Sequence, residues 1–397
     1  MAATLAFQGL CAQAFSEKEA RALAEESLAI LRRLPVGKEM IYALQLLANL
    51  SHDEAEKTQI RQECLAIAKA GQSGWWIPVC MIQLSDLAMN RSDYAEANAL
   101  LEEVLILAHE NNYQAQFVQA FSALSQIAML EGKYAEARLL AHKALAAAED
   151  MGYASAMWAI HSAIADNALL QGDYLTAQTH YQNGLAICQE LNERRGSLFQ
   201  LSGLGCAACC LRDFSQARRY FSDALRSAKE MESLPAILDI LSGTAGLLAN
   251  TGEPERGLCL AAYVANQPSL ERITRVRNTH LLQSLESVLA PTIVVSAREQ
   301  GKRLDFDETV NRLLAELNFA VEATRLPADI QSLPDPLTER ELEVLRLIAN
   351  GYSNYGIAVY LFLGVSTVKT HINRIFSKLC VKNRTQAVAR ARELRLL

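Results

Sequence analysis

EGKYAEA at residues 131–137 returns as QGDYLTA at 171–177, and Tyr94-Ala-Glu-Ala97 and Phe214-Ser-Gln-Ala217 carry the same pattern, so an aromatic followed by Ala recurs every 40 residues. Pro254-Glu-Arg-Gly257 continues the series. At the same interval Ala88, Ala128, Ala168 and Ala208 fall in phase ahead of the turn. Leu65, Leu105, Leu145, Leu185 and Leu225 follow it, with Ala68, Ala108, Ala148, Cys188 and Ala228 three residues later. Small residues at a fixed interval let two helices approach closely, and helical hairpins of constant length bury their apolar faces only by stacking. The expectation is therefore an all-α chain, with an α-solenoid of about six helix-turn-helix repeats over 1–267. Phe15 to Leu31 reads as the second helix of a shorter first repeat. From about 252 the pattern decays, predicting an irregular helical cap over 268–325 in which Asp305-x-x-Glu308 offers a capping box. LPADIQSLPDPL, residues 326–337, holds three of the nine prolines and reads as a linker.

Beyond the linker the spacing changes. Thr338-x-x-Glu341 is a capping box before a helix with Leu342, Leu345, Leu347 and Ile348 on one stripe, closed by Asn350-Gly351. Ser353 opens a second helix carrying Ile357, Ala358 and Leu361, and Leu363-Gly364 turns into a third. There Val368, Ile372, Ile375 and Leu379 keep the spacing of an inward face. Ser366, Thr367, Lys369, Thr370, Asn373 and Arg374 lie opposite, a mix able to reach base edges and phosphates from the major groove. Asn383-Arg384-Thr385-Gln386 begins a fourth helix with Ala387, Val388, Ala391 and Leu394. Ten basic against four acidic residues give 338–397 a charge of +6, in a chain of net charge −6. Such asymmetry fits an acidic protein with one end that docks on a polyanion.

Residues 338–397 resemble the LuxR-type helix-turn-helix domain, here a four-helix module without a wing. The array resembles tetratricopeptide repeats with lengthened helices, through the aromatic-to-Ala segment and the small residues Ser85, Ser125, Ala165 and Gly205. Together they look like the C-terminal half of the large ATP-dependent LuxR regulators (STAND, of the maltose-regulon activator type) without the NTPase module. Arg298 to Glu308 is similar to the stretch ahead of their linker. The chain is thus expected to be either a natural stand-alone form or the remnant of a longer regulator. The resemblance implies a bacterial, cytoplasmic transcription regulator that binds double-stranded DNA as a homodimer. Lys369, Thr370 and Asn373 would contact bases, and Ser366, Thr367, Arg374, Lys378 and Arg384 phosphates. Ala387, Val388, Ala391 and Leu394 would form the dimer contact. Gly356, Gly364, Cys380 and Val359-Tyr360 depart from the family pattern, and the first and third, Gly356 and Cys380, motivate a rival reading: a repeat scaffold with a helix-turn-helix too degraded to hold DNA.

In the tetratricopeptide family the ligand-facing residues come from the first helix of each repeat. That phase gives Asp86, Gln126 and Asp166, with Ser122, Ser162 and Ser202 one turn earlier. Such a ladder suits a protein, a peptide with basic side chains or a polar small molecule; its bland counterpart is a solvated solenoid wall. No phosphate-binding loop, H-E-x-x-H or G-x-S-x-G occurs, so neither an enzyme nor a cofactor is expected. Cys206, Cys209 and Cys210 share a helical face but read as packed thiols rather than metal ligands, and nine cysteines, an odd number, fit a reducing compartment. His161, at the phase of Phe121 and Leu201, and Trp75, Trp76 and Trp158 read as packing. No apolar run approaches the roughly 18 residues of a membrane span.

Overall fold

The computed structural model describes residues 17–33, 38–51, 53–71, 73–324, 337–349, 352–354, 357–358, 365–379, 381 and 383–393, and no strand occurs among them. They fall into two compact units, one ending at Asn318 and the other beginning at Phe319.

In the first unit α1 (Glu17–Leu31) precedes six helical pairs: α2 (Lys38–Leu50) with α3 (Glu54–Ala70), α4 (Trp76–Asn90) with α5 (Tyr94–Asn111), α6 (Gln114–Leu130) with α7 (Tyr134–Asp150), α8 (Ala154–Leu170) with α9 (Tyr174–Glu190), α10 (Arg194–Cys210) with α11 (Phe214–Glu230), and α12 (Leu234–Asn250) with α13 (Pro254–Ala265). The residues that mark the 40-residue period are the first residues of α5, α7, α9, α11 and α13. Asp93, Asp173 and Asp213 fix three of those starts by accepting the backbone N–H of Glu96, Thr176 and Gln216. The turns share one backbone device. φ is positive at Ser92, Gly132, Gly172, Arg212 and Gly252, and again twenty residues later at Asn112, Gly152, Asn192 and Glu232. A left-handed residue after each helix from α4 to α12 sends the chain back antiparallel.

The in-phase small residues are where helices cross. Ala88, Ala128, Ala168 and Ala208 are buried, as are Ala68, Ala108, Ala148, Cys188 and Ala228. Gly205 shows why size matters: a Cβ there would lie 2.5 Å from the Phe221 ring. The first helices of successive pairs pack on one another, α4 on α6, α6 on α8, α8 on α10 and α10 on α12, and make a continuous wall.

Three further helices follow: α14 (Arg272–Val288), α15 (Pro291–Gly301) and α16 (Phe306–Thr324). Leu282, Leu285, Ala297, Val310, Leu313 and Leu317 join one core with α10 to α13. Asp305 caps α16 by accepting the Glu308 N–H at 2.9 Å. The start of α14 does more than cap the array, because it lies along the wall. Arg272 binds α4 through Asp86 and Asn90, Ile273 packs with Ala128 and Met129 of α6, and Arg277 binds Asp166 of α8 and Asp239 of α12. Glu271, just ahead of the helix, meets Arg195 of α10 at 3.4 Å.

The second unit contains α17 (Glu339–Ala349), α18 (Val365–Lys378) and α19 (Arg384–Glu393) around Leu342, Leu345, Ile348, Ile357, Val368, Ile372, Ile375 and Leu379. Among the described residues no helix is long and apolar enough to cross a membrane.

Candidate nucleic-acid interface and repeat groove

The capping box at the start of α17 forms in both directions. The Thr338 N–H donates to Glu341 Oε2 at 2.8 Å, and the Glu341 N–H donates to Thr338 Oγ1 at 3.3 Å. In α18, Val368, Ile372, Ile375 and Leu379 are buried, which turns Lys369, Thr370, Asn373 and Arg374 outward, all four exposed. One face thus seals the core while the other presents two cations, a hydroxyl and an amide on neighbouring turns. Ser366 and Thr367 belong to the first turn of α18, and their side chains lie outside the described residues.

Along the wall of the first unit, Asp86, Ser122 and Gln126 line a cavity of about 780 Å³. Gln126, Ser162 and Asp166 line a second of about 510 Å³, and Arg272 borders both. Asp166 is buried. It accepts the Tyr181 hydroxyl at 2.6 Å and stands 3.4 Å from Arg277, which also pairs with Asp239. Burial pushes the Asp166 carboxyl up, against the opposing pull of Arg277, while the two carboxylates hold the Arg277 guanidinium firmly charged in spite of its burial.

Residues 335–391 match the family described as bacterial regulatory proteins, luxR family, and residues 156–230 match the tetratricopeptide repeat. Over 56 residues the chain is 57% identical to the response regulator protein VraR of Staphylococcus aureus (strain NCTC 8325 / PS 47). That stretch is 14% of this chain and 27% of VraR, so the chain spans about a quarter of this relative's length. The C-terminal module is a LuxR-family domain. The array ahead of it is built of tetratricopeptide repeats. Among solved structures, similarity is found to NprR in complex with its cognate peptide NprX (TM-score 0.48, 14% identity, 80% of this chain and 98% of that one). It also extends to a STAND protein with a tetratricopeptide repeat sensor from Pyrococcus horikoshii (TM-score 0.46, 13% identity, 77% and 50%).

Within the LuxR domain two expected phosphate contacts are engaged elsewhere. Lys378 Nζ donates to Glu341 Oε2 at 3.0 Å in a nearly buried pair, and Arg384 Nη2 donates to the carbonyls of Ile348, at 3.0 Å, and Tyr352. Arg384 therefore ties the start of α19 to the C-terminal end of α17 and to Tyr352. Two residues of the expected dimer stripe are engaged elsewhere too. Ala387 and Ala391 are wholly buried in the domain's own core and Val388 packs against it, so the alanines are spent on folding the monomer. Leu394 lies outside the described residues, as do Gly356, Gly364, Cys380 and Val359-Tyr360.

In the repeat groove the carboxylates expected to meet basic groups of a ligand already have cationic partners from the chain itself. Asp86 pairs with Arg272 at 2.6 Å and Asp166 with Arg277. Ser202 is fully buried and lines neither cavity. Sequence reasoning missed Arg272 and Arg277, whose signal was an Arg-rich opening turn in a segment read only as a cap. Cys206 is half-buried, Cys209 buried and Cys210 exposed; burial raises the first two thiols, Cys209 to about 12. His161 Nδ1 lies 2.9 Å from His180 Nδ1, and burial first, then the neighbouring histidines, lowers His180 to about 4, leaving it uncharged near neutrality. Trp76 packs edge-on against Tyr42 of the preceding repeat, Trp158 lines the second cavity, and Trp75, expected in the core, is half exposed.

Proposed function

We propose that the chain is a cytoplasmic DNA-binding transcription regulator in which the LuxR domain docks α18 in the major groove and the repeat array receives a protein, peptide or small-molecule partner. The observation that carries the reading is the two-sided character of α18, sealed by Val368, Ile372, Ile375 and Leu379 and open through Lys369, Thr370, Asn373 and Arg374. Lys369, Thr370 and Asn373 project together from consecutive turns and are assigned to base edges. Arg374, with Ser366 and Thr367 at the start of the helix, is assigned to phosphates.

Selection of bound fragments from random duplex DNA by the full chain, followed by titration of the winning site, tests this. Lys369→Ala should lower affinity for that site by about 1–3 kcal/mol and relax preference at one base pair. Arg374→Ala should weaken all sequences alike and flatten the salt slope by about one unit. Binding without sequence preference, or an unchanged Lys369→Ala variant, would overturn the assignment. The homodimer is part of the proposal through its expected inverted-repeat site, and the mass of the complex should show two chains per duplex, joined through residues other than Ala387 and Ala391.

A further inference from the structure

The larger cavity is bordered by three cations, Lys57, Arg61 and Arg272, and by a single carboxylate, Asp86, in a chain whose overall charge is negative. Arg61 is only 9% exposed and has no carboxylate partner within ion-pair distance among the described residues. Its guanidinium is held by neutral oxygens, donating to Gln83 Oε1 at 2.6 Å and Asn49 Oδ1 at 2.7 Å. Gln45 Nε2 donates to the same Gln83 Oε1 at 2.8 Å and fixes that oxygen in place. A built amide cradle thus holds a desolvated charge with no ion-pair partner of its own, the attraction of Asp86 being shared with Arg272, and burial lowers the Arg61 pKa.

Asp86 is the next residue along the same face of α4, one turn beyond Gln83, and it is already bound to Arg272 through a 2.6 Å ion pair, with Arg272 also donating to the Asp86 carbonyl and to Asn90. Arg61 and Arg272 therefore bracket consecutive turns of α4 from two sides of one cavity. The rest of the lining mixes uncharged amides and hydroxyls such as Gln119, Ser122, Gln126 and Ser155, which donate and accept, with apolar side chains such as Ile82, Leu87, Val118 and Ile160. The volume, about 780 Å³, is that of a small-ligand site.

Building on the partner-binding role proposed for the array, we infer that this cavity takes a ligand bearing a carboxylate or phosphate, held by Arg61 and Lys57 and competing with Asp86 for Arg272. The anion supplies the charge that Arg61 lacks, and the amide ladder hydrogen-bonds the uncharged body of the ligand. Because Arg272 belongs to α14, arrival of the anion also loosens the bond between that helix and α4.

The test exposes the full chain to a library of N-acetylated tetrapeptides, prepared once with free C-terminal carboxylates and once as C-terminal amides, and separately to inorganic pyrophosphate, with retention read by mass spectrometry and binding by thermal shift. Acid peptides should be retained about ten-fold better than their amides, the size of a lost charge-assisted hydrogen bond. Stabilisation by pyrophosphate in place of the acid peptides supports the inference equally and assigns phosphate as the anion. Arg61→Gln should erase the preference and Asp86→Asn, which removes the competing carboxylate, should strengthen it. Lys57→Gln, less buried, should weaken it in a chain that melts like the parent. Equal retention of acids and amides without a pyrophosphate effect, or a preference that survives Arg61→Gln, overturns the inference. If that indifferent retention is lost on plugging the cavity with Gln126→Trp, the groove still receives a partner and only the anion site fails. No retention in any arm, with no effect of Gln126→Trp on regulation in cells, overturns both.

Discussion

Lys378 and Glu341 sit 37 residues apart and share one hydrogen bond, and through it they link the stability of the LuxR domain to pH. Burial pushes the Glu341 carboxyl up, but the Thr338 N–H and the Lys378 ammonium outweigh it and leave the pKa below its ordinary 4.5. A carboxylate lowered in the folded state contributes stability that is present above the unfolded value and is lost as pH falls through the folded one. Lys378→Met should therefore cost the domain about 1–3 kcal/mol at pH 7, and the gap from the parent should close on acidification below pH 4.5. Urea unfolding of the full chain at pH 7 and pH 4, followed by amide signals of α17, measures it. Arg384→Ala should likewise cost about 1–3 kcal/mol by leaving the Ile348 and Tyr352 carbonyls without their charged donor, where a phosphate contact would alter only the salt slope of DNA binding. The same unfolding assay on that variant, beside a salt titration of DNA affinity, separates the two. The inward and outward faces of α18 were legible in the sequence because helical spacing alone fixes them. The partners of Lys378 and Arg384 were not, since a long side chain reaches back over the surface to groups that periodicity does not locate.

Among the elements, the turns bear the repeat. Left-handed residues every twenty positions were half visible, as glycines at 132, 152, 172 and 252, while Ser92, Arg212 and Glu232 occupy the same conformation without the usual residue. A side chain there costs about 1 kcal/mol, so Arg212→Gly should raise the stability of the first unit by up to that amount, less the entropy glycine adds to the unfolded chain. The midpoint of thermal unfolding, compared with that of Gly172→Ala, which should fall, checks the sign. The helix boundaries and the small crossing residues were readable for the same reason: each repeat meets the same neighbours, so the constraint recurs at one interval. The two alanines of α19 were not readable because sequence does not say whether an alanine faces its own core or a second copy. Ala387 and Ala391 face their own.

At the scale of the first unit, Arg277 is the residue on which most depends. It lies buried between Asp166 and Asp239, and Asp239 keeps one carboxylate oxygen without a partner. Arg277→Met should destabilise the unit by about 3–5 kcal/mol, because two buried carboxylates lose their common counter-charge, and the loss should be partly restored by Asp239→Asn in the same chain. Denaturant unfolding of the single and double variants measures both. None of this was legible in residues 268–325, where no period relates Arg272 or Arg277 to the repeats they bind.

A stack of hairpins that touch only their neighbours unfolds like a zipper, frayed from either end, and its stability is a sum of local terms. The opening turn of α14 changes that arithmetic. Through Arg272, Ile273 and Arg277, with Glu271 ahead of them, it ties helices from α4 to α12 to one short segment, with a sequence separation of 186 residues between Arg272 and Asp86. These cross-links make pairs that would otherwise melt one after another lose their structure together, and they place the closing step of folding late, since a long loop must be drawn in before the last contacts form. Cooperativity in this array is thus imported from outside the repeats, by a segment that does not share their period.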